Sequence, residues 1–150
     1  MKTFITLRSA TLLIAISVHL TLANAQNSPQ NSLAACPRAT EVTALHLYGA
    51  WQARWEGVDA PGTLMLGRNP DHPDSLRGSI RRGTMEAQVA GDVDKGEFTL
   101  EESTDGRSIS ATWTGAVVAD ACGKEISGVW TATADRKERS FVLRKLPGWQ

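Results

Sequence analysis

The chain has 150 residues, with 16 basic and 16 acidic side chains and two cysteines. Charges this evenly balanced give no electrostatic ground for nucleic acid or an anionic membrane surface as partner. The length suits one domain with its own core and excludes a large multidomain assembly.

The first 25 residues differ from the rest. Lys2 and Arg8 make a positive start, Thr11 to Leu22 is uncharged and mostly apolar, and Ala23-Asn24-Ala25 puts small residues where a signal peptidase reads. These are the three parts of a secretory signal. The uncharged run falls short of the ~20 residues a helix needs to span a hydrocarbon core. A cleaved signal over 1–25 is therefore expected, with a periplasmic or secreted product. Cleavage would leave 125 residues with 14 basic and 16 acidic groups, net −2. Leu33-Ala34-Ala35-Cys36 has the form of a bacterial lipobox, and lipid on Cys36 would tie the chain to a membrane. The polar stretch Gln26 to Ser32 separates it from the apolar run and argues against that. This Gln/Asn/Ser/Pro-rich stretch suggests disorder. Residues 26–44 are expected as a flexible arm, with Pro37 to Leu45 able to form a short helix or irregular lead-in, and 45–147 as the folded domain.

Cys36 and Cys122 are the only cysteines. In an oxidising compartment a lone pair is expected as a disulfide, worth about 4 kcal/mol for so long a loop. Two cysteines without neighbouring histidines make a poor zinc site.

From Leu47 onward the chain breaks into short alternating runs. Trp51, Ala53 and Trp55 share one face of the first, against Gln52 and Arg54. Thr63 to Gly67 is the second, closed by a loop holding Pro70 and Pro73. Leu76, Gly78 and Ile80 mark the third; Met85, Ala87 and Val89 the fourth; Phe98 and Leu100 the fifth. Thr104-Asp105-Gly106 predicts a hairpin turn. Ile109, Ala111, Trp113, Gly115 and Val117 form one face of the sixth. Ile126, Gly128, Trp130 and Ala132 give the seventh, and Phe141 with Leu143 the eighth. Eight short runs with mostly tight links predict an all-β fold, an eight-stranded antiparallel up-and-down β-barrel. Closure would remove exposed sheet edges. Gly78, Gly115 and Gly128 are expected where strands bend.

Trp51, Trp55, Trp113 and Trp130 sit on the apolar faces. They either line a cavity for a small ligand or fill the core. Trp149 is expected at the surface or as a lid. His72, between Asp71 and Asp74 in a loop with two prolines, is a poor cation site, and no metal or cofactor is expected. Glu101 and Glu102 are adjacent on a strand and so point to opposite faces, which denies them a shared substrate. No serine lies in a nucleophile-elbow context. Arg77, Arg81 and Arg82, and likewise Arg136, Lys137 and Arg139, read as solvated basic stretches. The chain is not expected to be an enzyme.

The Gly49-Ala50-Trp51 start of the first run resembles the Gly-x-Trp opening of lipocalins and avidins. Ile126 to Trp130, followed by Phe141-Val142-Leu143-Arg144, is similar to the final hairpin of small secreted barrels. The same Gly-x-Trp start and late aliphatic-x-x-Arg strand also resemble bacterial periplasmic inhibitors of secreted metalloproteases. The likeness covers Leu47 to Lys145 as a strand pattern. The polar set with which avidins contact biotin has no match, and Cys36 lies upstream of where the inhibitors place their disulfide. The resemblance implies a non-catalytic binding protein. It would hold a small, partly apolar ligand among the four tryptophans, or a protein partner such as a secreted protease or other hydrolase.

Overall fold

The computed structural model describes residues 36–148. The signal segment, residues 26–35 of the expected arm, and Trp149 lie outside the described residues. A 3-10 turn, Ala39–Glu41, leads into a single helical turn, α1 (Ala44–Leu47). Eight strands follow: β1 (Gly49–Trp55), β2 (Gly62–Arg68), β3 (Leu76–Arg82), β4 (Met85–Asp94), β5 (Glu97–Ser103), β6 (Ala111–Val117), β7 (Glu125–Ala132) and β8 (Glu138–Lys145). Every strand pairs antiparallel with its sequence neighbours, and β1 also pairs with β8, closing an up-and-down barrel. At the seam Trp51 lies opposite Lys145 and Trp55 opposite Phe141. Among the described residues no strand is left with an unpaired edge, as the sequence pattern predicts.

Alternation decides which side chains face inward. In β5, Phe98, Leu100 and Glu102 are buried while Glu97, Thr99 and Glu101 are exposed, the two-residue period of a strand packed on one face. Four inward positions are glycine for a steric reason. A Cβ at Gly78 would lie 1.7 Å from the Met65 carbonyl oxygen, at Gly91 2.0 Å from that of Thr99, at Gly115 2.4 Å from that of Ser127, and at Gly128 2.1 Å from that of Thr114. The strands cross so closely there that any side chain would push the neighbouring backbone away. Register sets Phe98 opposite Gly115 and Phe141 opposite Gly128. Trp113 packs edge-on against Phe141 at 4.9 Å and tilted against Trp55 at 5.3 Å. Trp51, Trp113, Phe98 and Phe141 are buried; each phenylalanine so placed contributes roughly 2–3 kcal/mol relative to exposure.

One end of the barrel is capped by the chain before β1. Val42, Ala44 and Leu47 are buried against the strands. The Trp51 indole Nε1 donates to the Leu47 carbonyl at 2.8 Å, and Lys145 Nζ donates to that of His46 at 2.5 Å. The Lys145 ammonium also sits 5.7 Å from the Trp51 ring, and burial and then Lys124 push its pKa down. Cys36 and Cys122 are bonded, fixing the start of the cap to the β6–β7 loop, in agreement with the sequence reading. The segment 36–44, expected within a flexible arm, is thus folded onto the domain. Its few apolar residues carry no regular period but fit the barrel end.

The sixth strand begins at Ala111, and Ile109 is exposed rather than part of its buried face. Residues 104–110 form a longer connection than the hairpin turn expected at Thr104-Asp105-Gly106. The Asp105 carboxylate organises it, accepting from Ser103 Oγ and from the backbone N–H groups of Arg107 and Ser108. The two backbone donors hold the Asp105 pKa down at about 2.

Candidate functional site

The opposite end carries the only inward-facing charges found there among the described residues. β1 ends in Trp55 and β3 in Arg82, the last residues of β5 and β7 supply Glu102 and Trp130, and the start of β8 supplies Arg139. Each shares parity with the buried residues of its strand: Arg82 with Leu76 and Ile80, Glu102 with Phe98 and Leu100, Arg139 with Phe141 and Leu143. Register puts Trp130 opposite both Trp113 and Arg139.

Glu102 is the most buried charge described, 2% exposed. A carboxylate so placed must be surrounded by donors. Trp113 Nε1 and Trp130 Nε1 each donate to its Oε2 at 3.2 Å, and the Arg82 guanidinium donates to Oε1. The Arg82 side chain is 21% exposed. Its guanidinium carbon lies 5.0 Å from the Trp55 ring and 5.5 Å from the Trp130 ring, so the cation rests against two indole faces. Arg139 spans the rim and donates to the Glu56 carbonyl at 3.2 Å. The Glu56 carboxylate itself accepts from Ser140 Oγ.

Two donors in this group have no acceptor among the described residues: Trp55 Nε1 and Arg82 Nε, both buried. The chemistry on offer is stacking by two indoles and hydrogen-bond donation by two nitrogens. Glu102, with both oxygens already accepting, holds Arg82 and the indoles in place.

The four tryptophans singled out from the sequence divide between two settings. Trp51 and Trp113 are fully enclosed in the barrel interior. Trp55, 6% exposed, and Trp130, half-buried, form the open end. Arg82 and Arg139, read as solvated, instead face inward, because each has the parity of its strand's core residues. Glu102 went unrecognised as a site residue, although the argument that it points away from Glu101 holds: Glu101 is exposed on the outer wall. A charge on an otherwise apolar face was the signal that would have found all three.

A concavity of about 320 Å³ lies on the outer wall, between β3–β4 and the 104–110 connection, lined by Ser79, Glu86, Gln88, Ser103, Thr104 and Asp105. It is open to solvent. Set beside known proteins, the chain matches no family model and no curated sequence.

Proposed function

We propose that the protein is an exported, non-catalytic binding protein that holds a small, partly apolar ligand at the open end of the barrel. Trp55 and Trp130 are its stacking surfaces. The observation that carries this reading is the buried, unpartnered Trp55 Nε1 beside the Arg82–Trp130 stack. A buried donor without an acceptor is rare in native proteins and calls for a partner, which a ligand at this end would supply. In this reading Trp51 and Trp113 are the packed floor beneath the ligand. A disulfide suits an oxidising, exported location.

Tryptophan emission during titration with apolar probes tests the proposal. A stoichiometric response is expected, lost in Trp55→Ala and Trp130→Ala and kept in Trp51→Phe. Native mass spectrometry of protein purified from its own host should show a retained small molecule. Absence of both responses sinks the reading.

A second reading is a protein-binding module, such as a periplasmic inhibitor of a secreted protease or other hydrolase. Val58, Met85 and Ile109, exposed and on the connections and strand starts of the same end, favour it. It predicts that trimming residues 26–32 changes affinity for a protein partner and leaves the probe response intact.

A further inference from the structure

We infer that the open end takes an organic anion, a carboxylate or equivalent oxyanion on an apolar body. This rests on the binding reading above and names the ligand class of that site.

Three observations lead to it. Trp55 Nε1 is a donor that cannot accept, in a residue 6% exposed, and it has no partner among the described residues. Arg82 Nε is a second buried donor in the same condition, on a guanidinium lying 5.0 Å from the very ring that carries the first. One end of that guanidinium is committed to Glu102, so Nε is left for something else. The third observation is charge. The inward-facing ionisable groups at this end are Arg82, Arg139 and Glu102, an excess of one positive charge. Glu56 at the rim has its carboxylate engaged by Ser140.

The alternatives fit these groups less well. A cationic ligand would have to evict Arg82 from Glu102 and from two indole faces. A neutral hydrocarbon would stack but leave both donors unmet. An oxyanion satisfies both donors and balances the local charge, and its apolar body would meet the Trp130 ring and Met85, which lies opposite Arg82 in the β3–β4 register.

The test uses full, disulfide-bonded, isotope-labelled protein and follows the indole N–H signals of its five tryptophans by nuclear magnetic resonance. Trp55→Phe identifies the Trp55 signal. Phenylpropanoate and phenylpropanol, which share a body and differ in the oxyanion, are the probes. The Trp55 N–H should move downfield with the carboxylate. Its affinity should exceed that of the alcohol by about tenfold, the lower range for a charge-assisted hydrogen bond. Trp55→Phe, which keeps an aromatic face and removes the N–H, should lose most of that preference, read as the ratio of the two affinities in the same variant. Arg82→Lys, which keeps the charge and removes Nε, should lose part of it. Equal affinity for the two probes overturns the ligand class and leaves the binding reading standing. A failure of either probe to move any open-end signal overturns both.

Discussion

Arg82 and Glu102 meet across the open end of the barrel from strands that are not neighbours, with β4 lying between β3 and β5 in the sheet. The pair therefore spans β4 on the inner face of the curved wall and is not a cross-strand ladder pair. It joins two indoles, one arginine and one carboxylate into a single network.

Cutting that network should cost stability in a coupled way. Glu102→Gln keeps an acceptor for Trp113 and Trp130 but removes the charge facing Arg82, and should destabilise by about 2 kcal/mol, below the usual figure for a fully buried pair because Arg82 is partly exposed. Arg82→Met should cost a similar amount. In a double-mutant cycle by urea unfolding the two should fall short of additive by about 1–2 kcal/mol. Strict additivity would mean that the contact contributes nothing.

The inward glycines set a steric limit. Gly78→Ala would drive a methyl group into the Met65 carbonyl and should cost about 3 kcal/mol or more, or abolish folding. Gly83 has positive φ but open space around it, so Gly83→Ala should cost only about 1 kcal/mol. Expression yield and urea midpoints of the two variants give the comparison. A Gly78→Ala protein as stable as wild type would contradict the close strand crossing.

Acid sensitivity should trace partly to Asp105. Its carboxyl pKa is held at about 2, well below the usual aspartate range, by hydrogen bonds from the backbone N–H groups of Ser108 and Arg107. A depressed folded-state pKa contributes stability that is present above the unfolded value and fades as pH falls through the folded one. Wild type should therefore lose stability between about pH 4 and pH 2, and Asp105→Asn should flatten that part of the profile. Melting temperature across that range, with the Asp105 carboxyl titration by nuclear magnetic resonance, measures it.

Removing the disulfide should loosen the cap before the barrel. Replacing Cys36 and Cys122 by Ser should cost about 4 kcal/mol on the loop-entropy account. Hydrogen exchange should quicken first in the segment 36–47 and last in β5 and β6, whose backbone hydrogen bonds lie in the wall. Uniform acceleration throughout would show that the bridge acts only on the unfolded chain.

Much of the wall was legible because its rules are local. Phe98 and Leu100 alternate with charged or hydroxylated neighbours, and Asp94-Lys95-Gly96 turns the chain with Lys95 and Gly96 both at positive φ, as tight hairpins require. The pairing of Cys36 with Cys122 followed from there being no other partner. The Arg82–Glu102 contact was hidden for the opposite reason. Charges at strand ends ordinarily face water, and these two meet only because the wall curves inward across β4. The cap was hidden because Val42, Ala44 and Leu47 are too few and too irregular to show a period. Ile109 continued the alternation of β6 on paper, but the hydrogen bonds around Asp105 keep the chain in a loop until Ala111.

The seam between β1 and β8 has a consequence for how the molecule is made. Each of the other pairings joins segments a short stretch apart, whereas Trp51 must find Lys145 near the far end of the polypeptide. Contacts between such distant partners are slow to form. A chain emerging from a ribosome or a translocation pore would hold its first strand with one side unmatched until the last strand arrived. In that interval the half-built sheet would offer β1 to any stray strand, so assembly is at its most vulnerable until the final residues of β8 are delivered.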